Sequence, residues 1–289
     1  MSKTARVLIV AGSDSGGGAG VQADIKTCAA FGAYSGTAIT AITVQNTQSV
    51  SRVEALCADL VAEQMRSFLG DIGADVIKIG MLANDDIIDA VADVILTEAE
   101  DITVVLDPVL VATSGDTLLD EDAISTLKNK LLPLADVLTP NTYEAEILSG
   151  VKIETLENMI KAGEALMELG AYHVLMKGGH MEGKSITDIL LTPEGNQIMN
   201  APRIHSRHTH GTGCTLASAV AAGLALGEDI NTAVAHAREF VFEAIKTAPG
   251  LGSGHGPLNH GLNLGDAQKT PQDDAPKNNP FAALKDLKT

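Results

Sequence analysis

Short runs of apolar, often β-branched residues alternate with longer segments of helical period, and this rhythm limits the chain to few architectures. The spacing predicts strands over Arg6–Ala11, Thr37–Val44, Asp75–Ile79, Ile102–Asp107, Val137–Thr139 and His173–Lys177. Helices are expected between them at Val21–Phe31, Leu60–Leu69, Asp85–Thr97, Glu121–Lys130, Thr142–Leu148 and Leu156–Leu169. Strands that alternate with helices imply a mostly parallel sheet with helices on both faces. Val7-Leu8-Ile9-Val10 and Ile102-Thr-Val-Val-Leu106 are nearly all apolar, as strands buried on both faces are. After Lys184 the pattern shifts to short strands at Ser185–Thr192, Gln197–Asn200 and Arg203–Ser206, with a turn at Pro193-Glu-Gly-Asn196. Two helices follow, near Gly213–Leu226 and Ile230–Lys246. No internal repeat or linker divides the chain. Residues 1–264 are expected to form one domain, and 265–289, which mix Lys, Asp, Pro and Gln without period, a disordered tail.

The 289 residues carry a net charge of −17, which argues against a general nucleic-acid binder but not against a locally positive phosphate pocket. The three cysteines have no metal-ligand spacing and give no disulfide framework. The first residues hold too short an apolar run for a signal peptide, and no run of about 20 apolar residues offers a membrane span. A cytoplasmic protein with neither nucleic-acid nor membrane partners is expected.

In parallel α/β sheets ligands bind beyond the carboxyl ends of the strands, and chemistry-bearing residues concentrate there. Gly12-Ser-Asp-Ser-Gly-Gly-Gly-Ala-Gly20 follows the first strand. It lacks the Gly-Lys-Ser/Thr sequel of a P-loop and the G-x-G-x-x-G register of a dinucleotide site. It reads either as a tight turn or as a loop whose backbone approaches a ligand, with Asp24 in the next helix. At the second strand end, Gln45 is either a surface amide or a reader of an aminopyrimidine edge, accepting from an exocyclic amine and donating to a ring nitrogen. Met81 is a core residue or a soft wall for a flat ring. Asp107 can orient magnesium-bound water or phosphate. Asn141 and Glu144 have capping-box spacing, and equally the pairing that serves a hydrated Mg²⁺. Lys177, before two glycines, can hold phosphate as a point charge. In Thr209-His-Gly-Thr-Gly-Cys214, glycines Gly211 and Gly213 open a small-residue helix, a geometry that binds anions. Cys214 falls in its first turn, where thiol pKa values tend to drop, or is simply a small buried residue. His205, His208 and His210 match no zinc pattern and read as loop residues.

Taken in order, Ala11–Thr27, Gln45-Asn-Thr47, Lys78-Ile-Gly-Met-Leu82, Thr139-Pro-Asn141, Met176-Lys-Gly-Gly-His180 and Thr209–Thr215 resemble the hydroxymethylpyrimidine/phosphomethylpyrimidine kinases of thiamine biosynthesis, in the ribokinase superfamily. The resemblance runs from about Arg6 to about His260. It implies a ribokinase-like three-layer α/β/α sandwich, ATP and Mg²⁺, two successive phosphorylations of a hydroxymethylpyrimidine, and a homodimer. By that analogy Gln45 reads the pyrimidine, with Gly12, Ala19, Met81 and Val109 around it and Asp24 nearby. Asn141, Lys177, Thr209 and Asp107 meet the phosphates, and Glu144 and Asp107 serve the metal. Gly211, Thr212 and Gly213 form the anion hole. Cys214 takes the place of the aspartate base of sugar kinases. A pyridoxal kinase, an enzyme with both activities, and a non-catalytic vitamin sensor are the competing readings.

Overall fold

The computed structural model describes residues 4–110, 119, 121–179, 181 and 183–262. The expected tail and His180 of the Met176–His180 motif lie outside them. The strands are β1 (Arg6–Asp14), β2 (Tyr34–Gln45), β3 (Val50–Ala55), β4 (Val76–Ile79), β5 (Thr103–Leu106), β6 (Val137–Leu138), β7 (His173–Met176), β8 (Ser185–Thr192) and β9 (Gly195–Pro202). The helices are α1 (Gly20–Ala30), α2 (Ala58–Asp71), α3 (Asp85–Glu98), α4 (Glu121–Thr126), α5 (Thr142–Ser149), α6 (Leu156–Glu168), α7 (Thr212–Ala225) and α8 (Ile230–Lys246).

One sheet runs β3-β2-β1-β4-β5-β6-β7-β8-β9. β2, β1, β4, β5, β6 and β7 pair in parallel, while β3, β8 and β9 are antiparallel additions at the two edges. The pleat sends alternate side chains to opposite faces. Leu8 and Val10 therefore join a core with α2, α3 and α6, and Val7, Ile9 and Ala11 join a second core with α1, α7 and α8. Both faces are covered, which gives the three-layer sandwich expected from the alternation. Each fully buried Leu or Ile contributes roughly 1.5–3 kcal/mol. On α7, Ala217, Ala219, Ala221 and Ala222 are wholly buried and let its neighbours approach closely.

Three local expectations change. β3 lies where no element was foreseen, because its outward polar residues (Ser51, Arg52, Glu54) follow no core pattern and only pairing with β2 orders it. The helix foreseen at Glu121–Lys130 is α only over Glu121–Thr126; from Leu127 to Leu131 it widens, with Leu132 N–H bonding Leu127 O. Arg203–Ser206 is not a strand. β9 ends at Pro202, and Arg203 instead donates to the carbonyls of Gly179 (2.8 Å), Gly183 (2.9 Å) and Met181. Its side chain thereby gathers the loop that follows β7.

Candidate active site

A cavity of about 1610 Å³ opens at the carboxyl ends of β1, β2, β4, β5 and β7 and at the start of α7. Of the residues given a catalytic, substrate, phosphate or metal role from the sequence, all but Asp24 line it.

The glycine-rich loop is organised by a residue the sequence reading passed over. Asp14, the last residue of β1, accepts from the N–H groups of Gly16 (2.7 Å), Gly18 (3.0 Å) and Ala19 (2.8 Å), and its Oδ2 lies 2.9 Å from His210 Nε2. Burial pushes its pKa up, but His210 and the loop N–H groups outweigh that and hold it below the usual value. His210 was expected to be a plain loop residue; it is buried and ties the β1–α1 loop to the segment that opens α7. Two glycines make this meeting possible. Gly20 has φ +55° and a Cβ there would stand 2.3 Å from Gly12 O; Gly211 has φ +82° and a Cβ would stand 1.8 Å from Gly18 O. Only glycine fits both the left-handed backbone and the contact.

One end of the cavity is walled by Gln45, Met81, Gly12, Ala19 and Val109. Gln45 projects from the end of β2, its Oε1 3.3 Å from Thr43 Oγ1 and its Nε2 3.4 Å from His210 Nε2. Met81 faces Gly12 so closely that a Cβ on the glycine would come within 2.7 Å of Met81 Cε. Ala19 and Val109 complete this part of the wall.

The other end gathers charge. Lys177 Nζ donates to Asp107 Oδ1 at 2.9 Å and stands 3.9 Å from Glu144 Oε2. Thr139 Oγ1 also donates to Asp107 (3.2 Å). Asn141 and Glu144 do form the capping box of α5: Asn141 Oδ1 accepts from Glu144 N (2.9 Å), and Glu144 Oε2 from Asn141 N (2.7 Å). The two readings of this pair are compatible, since the cap is what orients Glu144 toward Lys177. Burial raises Glu144 to about 7, against the pull of Lys177. The α7 N-terminus faces the same cluster. A Cβ at Gly213 would lie 3.3 Å from Lys177 Nζ and 3.6 Å from Asp107 Oδ2. The Thr212 N–H is used within the turn, donating to Thr209 O at 3.2 Å, so it is the positive end of the helix dipole and the Lys177 ammonium that converge on one point, as an anion requires. Thr212 Oγ1 donates to Thr209 O (2.7 Å) and holds this turn closed.

Two expectations need correction. Asp24 does not border the cavity. It is wholly buried, accepts from Lys78 Nζ at 2.9 Å through both oxygens and from Ser218 Oγ at 2.7 Å, and so sits behind the wall. The Cys214 thiol is not lowered by its helix position. Burial dominates and pushes it up to about 12, against the opposing pull of Lys78. No cluster of three or more His, Cys, Asp or Glu suited to a metal occurs among the described residues. Mg²⁺ prefers one or two carboxylates together with water and phosphate oxygens, and Asp107 and Glu144 at the charged end fit that smaller demand.

The model of the family described as phosphomethylpyrimidine kinase matches residues 14–259. A hydroxymethylpyrimidine/phosphomethylpyrimidine kinase of Rhizobium meliloti is 46% identical over 262 residues, which span 89% of this chain and 97% of that protein. The thiamine biosynthesis bifunctional protein ThiED of Geobacter sulfurreducens is 47% identical over 254 residues; the match takes in 88% of this chain and about half (52%) of that longer protein. Among solved structures, a Bacillus subtilis pyridoxal kinase in complex with ADP superimposes with a TM-score of 0.82 at 35% identity, covering 89% of this chain and 98% of the other. A phosphomethylpyrimidine kinase of Clostridium difficile gives 0.75 at 39% identity, covering 84% and 100%.

Proposed function

Because the chain belongs to the phosphomethylpyrimidine kinase family, we propose that it transfers the γ-phosphoryl group of ATP to 4-amino-5-hydroxymethyl-2-methylpyrimidine and then to the resulting monophosphate, for thiamine biosynthesis. The fold is the ribokinase-like α/β sandwich of its structural neighbours, and the activity class is phosphotransferase. The observation that carries the substrate reading is the union in one cavity of an amide-bearing slot at Gln45 and a phosphate cluster at Lys177 and Gly211–Gly213.

The chain's own groups divide the work. The Gln45 amide edge pairs with the aminopyrimidine, between Met81 and Val109, and Gly12 and Ala19 leave room for the ring. Lys177, Asn141 and Thr209 engage the nucleotide phosphates, with Asp107 holding Lys177 in place. Glu144 and Asp107 hold Mg²⁺ when it is bound, where it neutralises phosphate charge. The turn formed by Gly211, Thr212 and Gly213 at the start of α7 receives the charge that spreads over the phosphoryl oxygens in a loose transition state. In the first step the substrate hydroxyl oxygen forms a bond to the γ-phosphorus, the bond from that phosphorus to the ADP oxygen breaks, and Cys214, as the thiolate, takes the hydroxyl proton; in the second an oxygen of the ionised monophosphate attacks in the same way and no hydroxyl proton is transferred. The resulting thiol returns its proton to solvent when product leaves.

We place the protein in the cytoplasm as a homodimer. No helix among the described residues is long and apolar enough to cross a membrane, and apolar Ile42 and Val44 are half exposed near the β3 edge of the sheet. Light scattering distinguishes one 29.9 kDa chain from two. Mass spectrometry of products formed with ATP and Mg²⁺ tests the substrate. Mono- and then pyrophosphate from the pyrimidine is expected, with little product from pyridoxal. Product mainly from pyridoxal would overturn the substrate assignment in favour of the activity named for the Bacillus subtilis neighbour.

A further inference from the structure

β4 reads Val-Ile-Lys-Ile, and all four side chains are buried. The lysine is the anomaly. Lys78 is wholly excluded from solvent, yet its ammonium is held 2.9 Å from both oxygens of Asp24 on α1. Asp24 is held in turn by Ser218 Oγ at 2.7 Å. Ser218 lies four residues beyond Cys214 on α7, hence on the same side of the helix one turn down. A sheet strand and two helices are thus joined by a buried charged triad directly behind the anion-binding turn.

Stability alone does not account for such a triad. The desolvation of two buried ions cancels most of their attraction, and apolar side chains of similar volume usually hold a core as well or better. Val76, Ile77 and Ile79 beside it show that the strand is otherwise apolar. The ammonium is closed off from solvent but lies against the cavity wall. Lys78 borders the catalytic cavity, and at Gly80, where β4 ends, a Cβ would stand 3.0 Å from Nζ. The charged groups around the Cys214 sulfur are Lys78 from β4, Lys177 after β7, Asp24 from α1 and Asp107 after β5. Lys78 is the strongest of the charges acting on the sulfur and favours negative charge there, Lys177 favours it as well, and both carboxylates oppose it.

We infer that Lys78 is a positioning residue for phosphoryl transfer: clamped by Asp24 and Ser218, its ammonium fixes a positive charge beside Cys214 where the attacking hydroxyl loses its proton. This rests on the proposed role of Cys214. Asp24 supports the site from behind in this arrangement, as the holder of Lys78, and makes no contact with substrate.

The test compares Lys78→Met with the double variant Lys78→Met/Asp24→Leu, which replaces the ion pair by apolar groups and leaves no buried charge unmatched. Two readouts are taken on the full chain: steady-state kinetics, and the rate of Cys214 alkylation by iodoacetamide, followed by peptide mass. Both variants are expected to label Cys214 at least about fivefold more slowly, since labelling follows the thiolate fraction. Both should lose at least about tenfold in kcat, with KM for ATP and pyrimidine within about threefold, because the lost interaction acts in the transition state. A double variant that folds and recovers wild-type labelling and kcat would make the pair structural and overturn the inference. A double variant that fails to fold would do the same. Labelling needs no kinase turnover, so slowed labelling together with normal turnover of Cys214→Ala would sink the role of Cys214 while leaving the charge effect of Lys78 in place.

Discussion

At Asp14 and Cys214 burial and the neighbouring groups pull charge in opposite directions. Asp14 has a pKa below its ordinary 3.8, held there by His210 and the loop N–H groups despite burial. Its stabilising effect is therefore complete above pH 3.8 and vanishes as pH falls through the lower folded value. Asp14→Asn should cost about 2 kcal/mol near neutrality, the scale of a charge-assisted hydrogen bond. In thermal melts the gap from wild type should narrow below about pH 4; a gap constant across that range would show that the carboxylate charge is not what orders the loop. For Cys214 the sign is opposite, since its thiol is raised to about 12 and the thiolate is the minor form at neutral pH. If the thiolate accepts the proton, kcat should climb roughly tenfold per pH unit from about pH 6 to 9. Cys214→Asp, ionised throughout, should flatten that profile, and a flat wild-type profile would transfer the proton to another acceptor. The strand-end residues Gln45, Asp107 and Lys177 were legible in the sequence because buried parallel strands display polar groups only where they end. Asp14 with His210, 196 positions apart, and Lys78 with Asp24, 54 apart, were not. Their partners come from other elements, and no local pattern announces them.

At the level of elements, the sequence disclosed what a hydrophobic period can disclose. The parallel strands and most helices were readable because one or both of their faces pack into the two cores. β3 was not, since it is solvated and exists by pairing with β2. The false strand at Arg203–Ser206 shows the converse error: an extended segment whose side chain, not its backbone ladder, makes the tertiary contact. The start of α7 combines local and tertiary demands. Its two glycines were visible in the sequence, but the reason for Gly211 is the carbonyl of Gly18 lying where a Cβ would be. Gly211→Ala must therefore separate the two loops as well as strain the backbone, the latter alone at roughly 1–3 kcal/mol. Alanine keeps the backbone N–H, but moving a donor out of aim at such a site can lower kcat by as much as about 10²–10³, and that fall should appear even in folded protein as judged by circular dichroism. Near-normal kcat in Gly211→Ala would mean that the α7 turn does not carry the transferring phosphoryl group.

Across the whole molecule, the site is a consequence of sheet topology. Gln45 on β2 and Lys177 at the end of β7 are separated by β1, β4, β5 and β6 in the sheet, so a ligand touching both spans most of its width. The two cores beneath are continuous along that width, one on each face. Such a ligand cannot stabilise half the domain. A non-hydrolysable ATP analogue with Mg²⁺, at about a hundred times its Kd, should add about 2.7 kcal/mol by mass action. For a domain of this size that is a rise in Tm of roughly 5–10 °C. Differential scanning calorimetry should show a single transition before and after addition, displaced as a unit. Two transitions, only one of them moving with nucleotide, would mean that the sheet is divided into separately folding parts, and that the phosphate cluster and the ring slot are joined less tightly than their shared strands imply.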